Sequence, residues 1–365
     1  MTNSPTVVIQ SASDTSGGPP RGGRSTPSPG GRNEQLSAYT RPNLQRSVLA
    51  LATSVVPFLG LWVLMYFALQ VSYLLVLVLA VPAAGFVLRT FILFHDCAHG
   101  SLLRGRRANA RLGAMLGLVV FTPFARWRHE HTLHHATAGD LDRRGTGDID
   151  TLTVSEYETR SWRRRLAYRL YRNPVVMFGF GPLWGMLLAP RWIRPSAPAQ
   201  IRRSVWRTNL TLAVVVGGLC WLIGWRAFVL VDAPLMAMAG AAGIWLFYVQ
   251  HQFDHTYWQH SPEWSYREAA LRGSSYLRLP KVLQFFTGNI GLHHVHHLNT
   301  RIPNYNLQRA HDDTPVFRDI PTISLWDGLR AVRLKLWDPE AARLVTWKTY
   351  RRGRTADAVG RLASR

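Results

Sequence analysis

The chain has 365 residues, with 43 basic against 21 acidic side chains and a net charge of +22 when histidine is neutral. An aromatic content of 11%, including 14 Trp, excludes a disordered polycation, which is poor in aromatics. Two cysteines, Cys97 and Cys220, exclude a disulfide-rich scaffold and a thiolate-based zinc module.

Residues 1–45 are rich in Ser, Thr, Gly, Pro and Arg and lack apolar periodicity, so they read as a disordered tail that buries too little to offset its ordering entropy. No charged residue lies between Arg46 and Arg89. A helix needs ~20 apolar residues to cross the hydrocarbon core, so this run fits two crossings, roughly 47–69 and 73–94, joined as a hairpin. Two more uncharged stretches, 208–225 and 233–253, flank Arg226 and Asp232 and predict a second hairpin. The apolar runs 112–125 and 174–190 fall short of a span and contain Pro123, Pro182 and several glycines, so they are expected at the interface or re-entering from one side. The predicted class is an all-α, multi-pass membrane protein of four transmembrane helices in two hairpins under a helical cap. One domain covers 46–345, followed by a basic C-terminal tail, 346–365.

Arginines crowd 104–128 and 160–172, whereas Arg226 is the sole basic residue at either hairpin tip. By the positive-inside tendency, both termini and the long loops face the cytoplasm. The Arg-rich stretches near 327–353 are expected on the membrane surface. Because the arginines abut hydrophobic segments and form no separate basic domain, the charge does not indicate nucleic-acid binding.

The histidines fall into boxes. F-H-D-C-A-H-G-S holds His95 and His99 at i, i+4, one helical face. R-W-R-H-E-H-T-L-H-H-A holds His131, His134 and His135 at i, i+3, i+4, and N-I-G-L-H-H-V-H-H-L repeats that spacing with His293, His296 and His297. Between them, Q-H-Q-F-D-H-T-Y-W carries His251 and His255 at the end of the fourth crossing. An even number of crossings separates the boxes, so all three lie at one membrane face. Eight or nine imidazoles exceed the four ligands of one zinc and fit two metals with four or five each. Imidazole suits Fe, Zn, Cu and Ni alike; among these, two irons cycle redox states and suit attack on an unactivated C–H bond beside an apolar substrate. A histidine-rich transporter would instead place its ligands near the bilayer midplane. Asp96, Glu130 and Asp254 are candidates to orient imidazole N–H groups, with pairing to nearby arginines as the alternative. His129, His260, His294 and His311 break the shared-face pattern. Trp245, Phe247, Phe285 and Phe286 are candidates to line an acyl tunnel.

These boxes, in this order around two membrane hairpins, resemble the integral-membrane fatty acid desaturase family, and within it the acyl-lipid, delta-12 or omega-6 type. The carrying segments are H-D-C-A-H-G-S from His95, H-T-L-H-H-A-T-A-G-D-L-D-R-R-G-T-G-D-I-D-T-L-T-V from His131, residues 249–258, and residues 279–306 with T-G-N-I-G-L-H-H-V-H-H-L. The resemblance implies a non-haem centre of two iron ions that uses O2 and two external electrons to place a cis double bond in the acyl chain of a membrane lipid. It assigns the iron-binding positions to His95, His99, His131, His134, His135, His293, His296 and His297, with His251 similar to the family's additional ligand. Hydroxylases, conjugases and ketolases share such boxes, so a di-iron hydroxylase or ketolase acting on a lipid or carotenoid is the alternative. No H-P-G-G haem stretch or cysteine cluster occurs, so electrons are expected from an external donor of ferredoxin or cytochrome b5 type. The clustered arginines would steer an acidic carrier, or equally bind anionic headgroups.

Overall fold

The computed structural model describes residues 36–193 and 195–363. Helices α1 (Leu44–Ala68) and α2 (Tyr73–His99) pack against each other across a short turn, 69–72. Helices α7 (Ala199–Ile223) and α8 (Trp225–His251) follow later in the chain, and α8 packs on α2. Among the described residues these four helices are long and apolar enough to cross a membrane. Their outward faces carry Val56, Val63 and Phe67 on α1 and Leu210, Val214 and Trp221 on α7, all exposed. An apolar surface of that extent suits contact with lipid, since water-soluble monomers keep such patches small. Inside, Ala80, Ala83 and Ala84 of α2 are buried with Met65, Val231 and Leu235, small residues that let backbones approach closely.

The second pair of helices differs from its predicted boundaries. Charge at Arg226 and Asp232 suggested a turn there, but the chain reverses at Gly224, whose φ of 84° lies in the left-handed region, and both charged residues ride in the first turns of α8.

Helix α2 ends where its histidine box ends. Gly100 adopts φ 71°, its N–H donates to the Cys97 carbonyl (3.1 Å), and the Ser101 N–H donates to the Asp96 carbonyl (3.0 Å). That double bond pattern is the Schellman stop, so the G-S after His99 is the cap that fixes this imidazole at a helix end.

After α2, α3 (Arg106–Val119) and α4 (Phe124–Thr137) are bent by 103° at a break containing Phe121 and Pro123, which turns the 112–125 run away from a straight span. The 174–190 run forms irregular helical turns, Val176–Phe180 and Leu183–Leu188, wound more widely than an α-helix. They press on α8 so closely that a Cβ at Gly240 would sit 2.6 Å from Pro182 and from Met186. The remaining cap contains α5 (Val154–Thr159), α6 (Trp162–Tyr171), α9 (Tyr266–Arg272), α10 (Lys281–Phe286), α11 (His293–Leu298), α12 (Leu307–Asp313) and α13 (Leu325–Ala331).

Three expectations from the sequence are revised. The all-α class is mostly helical in fact, but the cap also holds β1 (Tyr276–Arg278) paired parallel to β2 (Thr322–Ser324), and β3 (Leu334–Asp338) antiparallel to β4 (Arg343–Thr346). The pieces are too short for an alternating pattern to stand out, and β3 and β4 occupy part of the Arg-rich stretch near 327–353. Of the tail assigned to 1–45, residues 1–35 lie outside the described residues, whereas Leu36 is buried in the cluster that includes Leu307 and Ala310, and the Tyr39 hydroxyl donates to Asp313 (2.7 Å). Of the tail assigned to 346–365, residues 347–363 form α14 (Trp347–Ala363), anchored where Tyr350 is buried against Tyr157; residues 364–365 lie outside the described residues. In both tails a few apolar anchors outweigh the polar composition around them.

A Cβ at Gly100 meets nothing within 4 Å, so Gly100→Ala isolates backbone strain and is expected to cost about 1 kcal/mol. Gly60→Ala, in the body of α1 and equally uncrowded, is expected to hold or raise stability. The thermal midpoint in detergent should therefore fall for Gly100→Ala and stay level or rise for Gly60→Ala.

Candidate metal centre

Nine imidazoles meet where the C-terminal ends of α2 and α8 reach the cap. They form two groups whose ligand nitrogens lie within 4.8 Å of one another: His95, His99, His131, His135 and His296 in one, and His134, His251, His293 and His297 in the other. The groups adjoin, with the rings of His135 and His297 centred 4.1 Å apart.

The two i, i+3, i+4 boxes do not each serve one group. At about 100° per residue, i and i+4 diverge by about 40° and i and i+3 by about 60° on the other side. Accordingly, α4 sends His131 and His135 to the five-histidine group and His134 to the other. Helix α11 does the reverse, sending His293 and His297 to the four-histidine group and His296 across. Each helix therefore braces both groups.

Outer partners fix which ring nitrogen carries hydrogen. His134 Nδ1 lies 2.5 Å from Asp148 Oδ1 and His251 Nδ1 lies 3.0 Å from the Gly273 carbonyl. Both oxygens accept, so both Nδ1 atoms donate, and in the neutral rings each Nε2 is left with a lone pair. Yet these two Nε2 atoms are 3.1 Å apart, and His293 Nε2 is 3.0 Å from that of His251. In the other group, Nε2 atoms run His95–His296–His135–His131 with successive separations of 3.0 Å. Each nitrogen has one hydrogen or one lone pair, so at most two of those three approaches can be N–H···N bonds. His99 Nε2 and His297 Nε2 are buried with no hydrogen-bond partner. Lone pairs converging without hydrogens to share repel one another, and a cation between them removes the conflict; the donor set fits two metal ions.

The rings are also in ligand form. Burial first, then the neighbouring imidazoles, hold protonation of His131, His135, His293, His296 and His297 well below the usual histidine range. Neutral imidazole is the species that binds metal.

The carboxylates sort differently from expectation. Asp96 alone keeps the expected role, its Oδ1 accepting from His95 Nδ1 at 3.4 Å while its other oxygen accepts from the Asn304 backbone and side-chain N–H groups, both at 2.8 Å. Glu130 takes the alternative role, accepting from Arg126 Nε at 3.0 Å. Asp254 and His255 are exposed, 4.0 Å apart and outside both groups. A further carboxylate that orients a ring, by a shorter contact, is Asp148, within G-T-G-D, to which the histidine spacing does not point. Its signal is the glycine before it: Gly147 has φ 75°, and a Cβ there would lie 2.9 Å from the Glu130 carbonyl and 3.1 Å from His134 Cβ. Only glycine lets this loop lie flat on α4. His129 and His260 are exposed, and His294 pairs with His311 at 2.9 Å, away from the groups.

A cavity of about 330 Å³ opens onto the histidines, touching His95, His131 and His293. Leu88, Phe91 and Ile92 of α2 and Gly243, Ile244 and Phe247 of α8 line it, so it is apolar along most of its wall. From Ala239 to Gln250, both lining residues on α8, it follows the helix axis for ~16 Å. Of the four aromatics considered for such a wall, Phe247 contributes. Trp245 instead approaches Gly328, and Phe285 and Phe286 pack on Phe86.

A family model described as fatty acid desaturase matches residues 71–320. A fatty acid desaturase of Bacillus subtilis (strain 168) is 44% identical over 318 residues, 87% of this chain and 90% of the relative. The chloroplastic omega-6 fatty acid desaturase of Brassica napus is 27% identical over 240 residues, 60% of this chain and 49% of the relative, so the match spans about half of that longer protein. The sn-1 acyl-lipid omega-3 desaturase (ferredoxin) of Synechocystis sp. (strain ATCC 27184 / PCC 6803 / Kazusa) is 28% identical over 235 residues, 60% of this chain and 62% of the relative.

Asp148→Ala removes the acceptor behind His134 and is expected to weaken metal binding ~10–100-fold. Competition between the protein and a chelator of known affinity measures this; an unchanged affinity would show that Asp148 does not support the ring.

Proposed function

The chain belongs to the fatty acid desaturase family, oxidoreductases of lipid metabolism, and from that premise we propose that it introduces a cis double bond into an acyl chain of a membrane lipid, using O2 and two external electrons at a centre of two iron ions. The observation that carries this reading is the placement of both histidine groups at the end of an apolar cavity set among helices long enough to cross a membrane. Iron bound by these imidazoles would supply the redox chemistry that dioxygen reduction requires. The overall change balances as one CH2–CH2 unit, O2, two electrons and two protons giving CH=CH and two waters.

The protein's own share is positioning and exclusion. The wall of Leu88, Phe91, Ile92, Ile244 and Phe247 holds the chain extended and keeps water from the reacting carbons. An unactivated methylene offers no polar handle, so selection of one C–C bond rests on the depth to which the chain inserts. Asp148 and the Gly273 carbonyl hold their imidazoles against rotation, which keeps the donor set fixed as substrate enters and leaves.

The lipid assignment draws on the acyl-lipid relatives, and the donor on the ferredoxin-using one; a cytochrome b5 type carrier satisfies the same need. The arginine-rich cap and both termini face the cytoplasm in this reading, where an acidic carrier meets a basic surface. No role with nucleic acid is proposed.

Expression in a host with only saturated and monounsaturated lipids, followed by mass spectrometry of double-bond adducts, tests the reaction. New double bonds are expected from the wild type and none from His134→Ala or His297→Ala. Hydroxy or keto products instead would assign the alternative chemistry.

Gly243 gives a second test. A Cβ there meets only Leu88 Cδ1, at 3.8 Å, so a larger side chain projects into the cavity. Gly243→Leu is expected to cut turnover of the longest acyl chains at least tenfold relative to shorter ones, read from the chain-length profile of the products.

A further inference from the structure

Arg172 follows α6 and is fully buried, at 0% exposure. A guanidinium in such a place is costly unless it is thoroughly hydrogen-bonded, and its hydrogen-bond partners are neutral oxygens. Nη1 donates to the Asp150 carbonyl (2.9 Å) and to Thr151 Oγ1 (3.0 Å). Nη2 faces Tyr248 Oη (3.0 Å), Gln252 Oε1 (2.9 Å) and the Leu334 carbonyl (3.1 Å). The Arg172 carbonyl in turn accepts from Lys335 Nζ (2.6 Å).

What these partners carry gives the arrangement a purpose. Tyr248, on the final turn of α8, and Gln252, the residue just past its end, flank His251. Asp150 and Thr151 belong to the loop whose Asp148 holds His134. One cation therefore ties the loop behind His134 to the helix end that presents His251, the two rings whose Nε2 lone pairs face each other across 3.1 Å. The five-histidine group is assembled differently, from α2, α4 and α11, and none of the partners of Arg172 lies on those helices.

We propose that Arg172 is a positioning residue for the four-histidine site: it holds His134 and His251 at metal-binding distance, while the five-histidine site is kept by helix packing. This rests on the two-metal reading above. Arg172→Met removes the tie while keeping much of the buried volume. Arg172→Lys keeps the charge but, as a single point donor, cannot span both faces.

The test uses the full-length protein in detergent, loaded anaerobically with iron(II), with bound iron counted per chain by elemental analysis. The wild type and Phe58→Ala, a buried change in α1 remote from the cap, are expected to hold two ions. Arg172→Met, Arg172→Lys and Asp148→Ala are expected to hold about one, and the Asp148→Ala/Arg172→Met double variant no fewer than either alone, since both act on one site. Gln252→Leu and Thr151→Val remove single acceptors and should show the same selective loss more mildly, which keeps the test open should Arg172→Met not fold. Two ions retained in the Arg172 variants, or in both milder ones, would overturn the role, as would parallel loss of both ions. An iron-free wild type would instead sink the two-metal reading itself.

Discussion

Everything in this protein is arranged around lone pairs that point at one another. A buried neutral imidazole donates from one nitrogen and accepts at the other, and its outer neighbour decides which. With Asp148 and the Gly273 carbonyl claiming the Nδ1 hydrogens of His134 and His251, the inner nitrogens have nothing to offer each other. The fold therefore holds together, by packing and hydrogen bonds, groups whose mutual arrangement is favourable only around a cation.

That demand explains the architecture of the cap. Convergence of nine rings requires several backbone segments to end at one point, and helix ends are where a chain can stop and turn. Helix α2 stops through Gly100, α4 starts after a sharp bend, and α8 finishes at His251. The six residues of α11 then pass between, completing both groups. The exchanged division of the two three-histidine boxes ties the groups together, so a displacement of α4 or α11 disturbs both.

Much of this was legible in the sequence because spacing and composition report it directly. Uninterrupted apolar runs located the four long helices. The i, i+3, i+4 intervals located six of the nine rings that the structure brings together and an i, i+4 pair two more, while His251 was singled out by its place at the end of the fourth run and by the family resemblance. Less legible were features set by single residues or distant contacts. Gly224, not the charged pair after it, makes the turn, because a positive φ leaves no trace in hydropathy. Which box member joins which group depends on how helices from distant parts of the chain are rotated, and no local pattern encodes that. Asp148 escaped because it lies 14 residues beyond its histidine on a loop, and Leu36 and Tyr350 escaped because one buried side chain scarcely alters the composition of a polar tail.

The buried cation adds a different kind of argument. Arginines such as Arg104, Arg106, Arg163 and Arg164 lie exposed on the surface, whereas Arg172 is enclosed. Replacing a buried ion by an apolar side chain is often harmless or even favourable in proteins at large, so burial alone does not account for its presence. Its oxygen partners do: they come from the His134-supporting loop, the end of α8 and strand β3, three segments that share no continuous secondary structure. A hydrophobic side chain packs against such segments without fixing their separation, whereas a planar fork with directed donors sets distances and angles between them. Where the structure must hold two lone pairs 3.1 Å apart against their repulsion, directionality matters more than burial energy, and a guanidinium supplies it.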